Sequence, residues 1–100
     1  MPGNARAASV PVAVFNASTT PHEAERLASI LRADRITLSQ VGNINASLGS
    51  GVYVFYPRGA EAQAHRVAGV ISMLSPTVLP IQPQVQSSIG RRDEIVVIFD

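Results

Sequence analysis

The chain contains no cysteine, so its 100 residues hold neither a disulfide framework nor a thiolate zinc site, and no thiol nucleophile. It also contains no lysine, because all eight basic residues are arginine, and seven acidic residues bring the formal net charge to +1. A protein that binds nucleic acid normally concentrates basic residues on one face to displace counterions from phosphates. This near-neutral balance therefore disfavours a polyanionic partner.

Long apolar runs are also absent: none approaches the roughly 20 residues that a transmembrane helix needs. Residues 1–9 have neither the charged lead nor the apolar segment of a signal peptide. We interpret them as a flexible lead-in, or as the remnant of an excision that removed a membrane anchor. Residues 10–100 are predicted to form one domain, because 46% hydrophobic residues suffice for one core in a chain of this length.

Strands are predicted where β-prone residues alternate between two faces, at 10–15 and 36–41, and at the aromatic-rich segment 52–56. The segment 94–99 is apolar without a break, which is typical of a strand covered on both sides or lying in the middle of a sheet. Three prolines between residues 76 and 83 leave room there for a short edge strand or an extended loop, at 78–82 and 84–86.

Two helices are predicted from apolar residues at helical spacing, one running to about Ala33 and one running from Ala60 to Leu74. The first helix is expected to begin with a capping box, in which Thr20 is the N-cap and Glu23 returns the hydrogen bond. Pro21 would then occupy the first helical position, where its missing N–H costs nothing.

The resulting order of elements predicts a βαββαβ plan, an α/β (α+β) two-layer sandwich with two helices on one face of a four- to five-stranded sheet. If the wiring is ferredoxin-like, the first two strands run parallel, and the loops at 16–20 and 43–47 leave the sheet at the same edge. Residues 47–51, between the second and third strands, are interpreted as a flexible hairpin.

Catalytic motifs are not found in the sequence. The string at 47–51 has the wrong spacing for a nucleophile elbow, and no glycine-rich phosphate loop is present. His22 and His65 lack neighbours at metal-ligand spacing and are expected on the surface. We therefore predict no catalytic residue, no metal and no cofactor.

A polar cluster provides the best candidate for a ligand site, because it places carboxamides and hydroxyls, suited to sugars or anionic groups, beside the start of a helix. The predicted ligand-binding residues are Asn16, Ser18, Thr19, Asn43, Asn45 and Arg58. Ordinary loop and capping chemistry is the alternative explanation for the amides and hydroxyls. Arg58, Arg66, Arg91 and Arg92 could form a modest basic patch for an acidic polymer, with ordinary solvated surface as the default interpretation.

The aromatic residues Tyr53, Phe55 and Tyr56 occupy both faces of the third strand, so one face must pack into the core. Tyr53 or Phe55 would serve as a stacking platform in a second hypothesis, a cytoplasmic nucleic-acid-binding domain of the RNA-recognition type, which shares the βαββαβ plan.

Several short motifs resemble those of the LytR C-terminal domain family. The first strand ends in Val14-Phe-Asn16-Ala17, Pro21 precedes the first helix, and the third strand is followed by Tyr56-Pro-Arg-Gly59. The segment at 33–38 is similar to the turn and second strand of the family, and the apolar segment 95–98 is similar to its last strand. The chain departs from the pattern where the family often has glycine, at Ala17, His22 and Arg35.

This resemblance implies a non-catalytic, extracytoplasmic accessory domain of a bacterial cell-envelope protein. The partners it implies are peptidoglycan or another envelope glycopolymer, or the LytR-CpsA-Psr proteins, with no nucleic acid and with membrane contact only through an anchor outside this chain. The exclusive use of arginine, together with abundant alanine and valine, indicates a high-GC genome such as that of an actinobacterium.

Overall fold

A computed structural model describes residues 10–45, 47–88 and 93–100, so the predictions about residues 1–9, Arg91 and Arg92 lie outside the described residues. The elements are β1 (Val12–Asn16), α1 (Glu23–Ala33), β2 (Leu38–Asn43), β3 (Val52–Tyr56), α2 (Glu61–Val70), a 3-10 turn (Ser72–Leu74), β4 (Thr77–Pro80), α3 (Pro83–Ser88) and β5 (Ile95–Phe99). The predicted two-layer sandwich is confirmed. In the described ranges, no helix combines the length and apolarity that spanning a bilayer requires.

The described strands form a five-stranded mixed sheet in the order β2-β1-β5-β3-β4. β1 runs parallel to both β2 and β5, whereas β3 is antiparallel to β5 and parallel to β4. The last strand of the chain is therefore the middle strand, as its unbroken apolar sequence predicted.

The wiring is not ferredoxin-like, because β2 lies directly beside β1, where a ferredoxin-like sheet places β3 between these two strands. The interpretation of residues 47–51 as a hairpin is wrong for the same reason. β2 is an edge strand, and both β1 and β5 separate it from β3, so this connection crosses the end of the sheet.

The helix-covered face of the sheet holds the larger core. Val12 and Val14 of β1 point to this face and belong to one buried cluster with Leu27 and Leu31 of α1 and Val67 of α2. The spacing of these positions follows the strand period of two and the helix period of 3.6, which places them on facing surfaces. Each such side chain contributes about 1.5–3 kcal/mol by its burial.

The opposite face is also buried, around Phe55, Phe15 and Ile98, and α3 contributes Val85 to this second cluster. The prediction of an edge strand or extended loop at 84–86 is therefore wrong, because these residues are helical. Pro83 begins this short helix, a position where proline is favoured.

The predicted capping box at the start of α1 is also wrong. The N-cap is His22, in the left-handed conformation with φ 69°, and it makes no side-chain capping bond. The carbonyl oxygen of Thr20 instead accepts a hydrogen bond from Nδ2 of Asn16 at 2.6 Å, which holds Thr20 in the preceding loop. Arg35, just after α1, is also left-handed, with φ 65°. His22 and Arg35 are two of the positions where the resembling family often has glycine, and glycine adopts this conformation without a steric penalty.

Candidate functional site

The first candidate surface lies where three parallel strands end together. Asn16 of β1 is in register with Asn43 of β2 and with Phe99 of β5, so the loops that follow β1 and β2 leave the sheet at the same edge, as predicted. We call this surface the amide edge. It contains the five predicted residues Asn16, Ser18, Thr19, Asn43 and Asn45.

Asn16 is 5% exposed, and its side chain organises the loop rather than facing solvent. Its Oδ1 accepts hydrogen bonds from the backbone N–H of Ser18 at 2.9 Å and from the Ser18 hydroxyl at 2.6 Å. The backbone N–H of Thr20 donates to Oγ of Ser18 at 3.1 Å. Thr19, Asn43 and Asn45 are exposed, so they are the members of the amide edge whose side chains are open to a ligand.

The loop before β3 closes the same end of the sheet. The hydroxyl of Tyr53 lies within hydrogen-bonding distance of the carbonyl oxygens of Leu48 at 2.7 Å and Gly49 at 2.8 Å. The backbone N–H of Leu48 donates to Oδ2 of Asp100 at 2.8 Å, and Gly51 and Asp100 exchange two backbone hydrogen bonds. Asp100, at the end of the chain, therefore fixes the loop before β3 at this end of the sheet.

The two aromatic rings proposed as a stacking platform pack against each other, with centroids 6.1 Å apart and an angle of 11° between their planes. Phe55 is fully buried, and the hydroxyl of Tyr53 is engaged by the loop before β3. A buried ring offers no face to a nucleic-acid base, so the structure gives no support to the nucleic-acid hypothesis.

Arg58 does not join the amide edge. β3 runs antiparallel to β5, so it begins at the amide edge, where Val52 pairs with Phe99, and ends at the opposite edge. Arg58 follows that end and is exposed there. The predicted set of ligand-binding residues is therefore divided between the two ends of the sheet, and a ligand role for any of them stays a prediction.

A depression on the helix-covered face lies at the end of the sheet away from the amide edge. It is a groove of about 370 Å³ between α2 and the connection from α1 to β2, and we call it the interhelix groove. The residues lining it are Val10, Val12, Asp34, Arg35, Ile36, Thr37, Gln63, Arg66, Val67 and Val70. Sequence reasoning missed this groove, because its residues are far apart along the chain and form no local motif.

Hydrogen bonds fix the walls of the interhelix groove. The side-chain amide of Gln63 pairs with the backbone of Val10: Oε1 accepts from the Val10 N–H at 2.9 Å, and Nε2 donates to the Val10 carbonyl at 2.8 Å. At the other wall, the backbone N–H of Arg35 donates to the Arg32 carbonyl at 2.9 Å, and that of Ile36 donates to the Leu31 carbonyl at 3.1 Å.

The charges of the groove are two guanidinium groups and one carboxylate. Arg35 and Arg66 are exposed, and neither forms an ion pair with any residue that the structure describes. Asp34 is the acidic residue of the lining. The formal charge of the lining side chains is thus +1, which favours an anionic group in the groove.

A smaller depression of about 220 Å³ lies nearer the amide edge, lined by Glu23, Arg26, Leu27, Ile30, Leu74 and Phe99. Its two charged groups already neutralise each other, because Nη1 of Arg26 lies 3.1 Å from Oε2 of Glu23. Met73, in the same 3-10 turn as Leu74, is 66% exposed. This depression therefore offers apolar surface without an unpaired charge.

His65, Glu61 and Tyr56, at the start of α2 and just before it, are titratable groups that lie outside these surfaces. His65 lies on the exposed face of α2, as expected. Its Nε2 is 3.7 Å from Oε2 of Glu61. Burial raises the pKa of Tyr56, and the nearby carboxylate of Glu61 raises it further through its charge and a hydrogen bond. No group of three or more His, Asp or Glu side chains placed to hold a metal ion occurs among the described residues.

These features define a small α+β domain with exposed amides and hydroxyls at the amide edge and guanidinium groups in the interhelix groove. The model of the LytR_C family, the LytR cell envelope-related transcriptional attenuator, matches residues 9–98, and the chain belongs to this family. LytR_C domains are cell-envelope-related, non-catalytic accessory domains. The predicted family is therefore confirmed.

One solved structure is similar in both sequence and fold. It is the solution structure of the C-terminal domain of RV0431, which is 26% identical, with a TM-score of 0.61. The similarity covers 91% of this chain and 71% of that one. No curated protein matches this chain.

Proposed function

We propose that this chain is an extracytoplasmic accessory domain of an actinobacterial cell-envelope protein, and that it binds peptidoglycan or a related envelope glycopolymer without catalysing a reaction. The observation that carries the proposal is the LytR_C match over residues 9–98. In this proposal the parent protein supplies the membrane anchor, and this domain supplies contact with the cell wall.

The exposed groups of the amide edge suit such a polymer. The side chains of Asn43 and Asn45 can each donate and accept hydrogen bonds, and the hydroxyl of Thr19 can do both. Peptidoglycan presents sugar hydroxyls, amides and carboxylates, which are the complementary groups. Neutral hydrogen bonds of this kind are weak individually, so binding would depend on repeated contacts along the polymer.

Co-sedimentation with purified, insoluble peptidoglycan tests the proposal. We expect the wild-type chain to enter the pellet in a saturable manner, and a Thr19→Ala/Asn43→Ala/Asn45→Ala variant to bind less. Ser29→Ala is the matched control, since Ser29 is an exposed polar residue of α1 outside the amide edge. If the folded triple variant binds like the wild type, the amide edge is not the site, and if the wild type stays in the supernatant, the proposed function is wrong.

A second candidate function is contact with an envelope-assembly protein, such as a LytR-CpsA-Psr protein. The exposed side chains of Met73 and Leu74 favour it, because Leu74 also lines the smaller depression with Ile30 and Phe99, and contiguous apolar surface marks protein-binding sites. Met73→Asp would then abolish capture of purified LytR-CpsA-Psr protein while leaving the sedimentation with peptidoglycan unchanged.

A further inference from the structure

We propose that the interhelix groove binds peptide carboxylates. For the identity of the polymer, this inference rests on the proposed function: the peptides attached to the peptidoglycan glycan carry free carboxylates. For its chemistry, it rests on the groove alone. The residues assigned to the carboxylate are Arg35 and Arg66, on the two sides of the groove.

The charges of the groove favour a carboxylate. A guanidinium group presents parallel N–H donors that match the two oxygens of a carboxylate, and such charge-assisted bonds are stronger than neutral ones. Arg35 and Arg66 form no ion pair with a described residue, so a ligand would not have to break an existing pair. Asp34 offers an acceptor for an N–H group of the same ligand.

The shape of the groove favours a small ligand with an apolar part. Its volume of about 370 Å³ lies within the range of small-molecule sites. Val12 and Val67 belong to the buried core and form apolar lining beside the two arginines. A short peptide with small side chains, ending in a carboxylate, meets both the apolar and the cationic parts of the groove.

The groove is also preorganised, which lowers the cost of binding. The paired hydrogen bonds between Gln63 and Val10 join α2 to the chain just before β1. The backbone of Arg35 is fixed by the turn that ends α1. On binding, therefore, mainly the side chains of Arg35 and Arg66 would lose conformational freedom.

A titration of the isotope-labelled chain, followed by NMR, tests the carboxylate directly. The probe is N-acetyl-Ala-Ala with a free carboxyl terminus, and the matched probe is its carboxamide. We expect saturable shifts of the backbone N–H signals of Thr37 and Val67 with the acid, and binding about tenfold weaker with the amide, because the charge-assisted bonds are lost. Equal binding of the acid and the amide, or equally tight binding of inorganic phosphate, would overturn the inference.

Single-charge variants separate the groove from the overall charge of the protein. Arg66→Gln should weaken binding of the dipeptide acid about tenfold. Arg32→Gln, on the exposed surface of α1 and outside the groove, should leave this binding unchanged. Arg35→Asn removes the other charge with a residue that tolerates the left-handed conformation. If Arg32→Gln weakens binding as much as Arg66→Gln does, the effect is bulk electrostatics and the inference fails.

Co-sedimentation of the Arg35→Asn/Arg66→Gln variant with peptidoglycan tests whether the groove contributes to binding of the polymer. Reduced sedimentation supports the inference. If the wild type and the double variant sediment equally, the groove is not the peptidoglycan site, although the proposed function stands. If the wild type does not sediment, the proposed function fails, and the dipeptide titration alone decides whether the groove binds carboxylates.

Discussion

Ser39, on the edge strand β2, donates its hydroxyl to Oε1 of Glu94 at 2.7 Å, although 55 positions separate the two residues in the chain. The register between β1 and β2 shifts at this point, because Leu38 pairs with Val12 and Gln40 pairs with Ala13. Ser39 is the extra residue of this irregularity. Its hydroxyl thereby connects the edge strand to a carboxylate just before the middle strand β5, where Glu94 is only 3% exposed.

Ser39→Ala should lower the free energy of unfolding by about 1–3 kcal/mol, because the buried carboxylate of Glu94 loses a hydrogen-bond donor. Urea unfolding measures this change. Ser29→Ala, at an exposed position on α1, should change the free energy by no more than about 0.5 kcal/mol. Equal effects of the two substitutions would show that the Ser39 to Glu94 bond has no stabilising role.

Asn16→Ala should destabilise the loop that follows β1 by about 1–3 kcal/mol, since the backbone N–H of Ser18 and the carbonyl of Thr20 lose their partner. Hydrogen exchange should show faster exchange of the Ser18 amide. Thr19→Ala, one residue away from Ser18 and exposed, is the control. Unchanged exchange at Ser18 in the Asn16 variant would contradict the structural role assigned to this side chain.

His22→Gly should stabilise the protein by roughly 0.5–1 kcal/mol, because glycine adopts the left-handed N-cap conformation without the steric cost that histidine bears. Thermal unfolding measures the change. Ala28→Gly, in the middle of α1, should have the opposite sign, since glycine there costs helix stability and leaves a gap in the core. A lower melting temperature for His22→Gly would contradict the left-handed conformation of His22.

The raised pKa of Tyr56 predicts a loss of stability at high pH. The folded protein keeps the phenol proton more tightly than the unfolded chain does, so stability is fully present below the ordinary tyrosine pKa of about 10 and falls as the pH rises through it. Tyr56→Phe should remove this part of the pH dependence. Glu61→Gln should lower the pKa of Tyr56, and an NMR titration of the tyrosine rings would show it. An unchanged pKa in Glu61→Gln would contradict the contact.

Much of the fold could be predicted because its signals are local. Alternation in β1 and the unbroken apolar run of β5 depend on near neighbours in the chain, and so does the helical spacing of α1. The order of the strands could not be predicted in the same way, because the pairing of β5 with both β1 and β3 joins distant parts of the chain. α3 was not predicted because the three prolines of this region favour extended structure. Its six residues form a helix whose Val85 packs into the second core cluster, a tertiary contact that the local sequence does not reveal.

The candidate sites show the same limit. The parallel direction of β1 and β2 brings Asn16 and Asn43 to one edge. The ferredoxin-like hypothesis predicted this direction from right-handed crossovers, and the direction holds although the predicted strand order does not. The antiparallel direction of β3 sends Arg58 to the other edge, which depended on pairings the sequence did not reveal. The interhelix groove, which Arg35 and Arg66 both line, exists only once α1 and α2 pack on the sheet.

We propose that this LytR_C domain binds the cell wall without altering it. The most direct measurement incubates the chain with purified peptidoglycan, quantifies the protein in the pellet, and compares the fragments released by digestion with those from untreated polymer. We expect saturable binding and an identical fragment profile. New fragments, or protein that remains entirely in the supernatant, would contradict it.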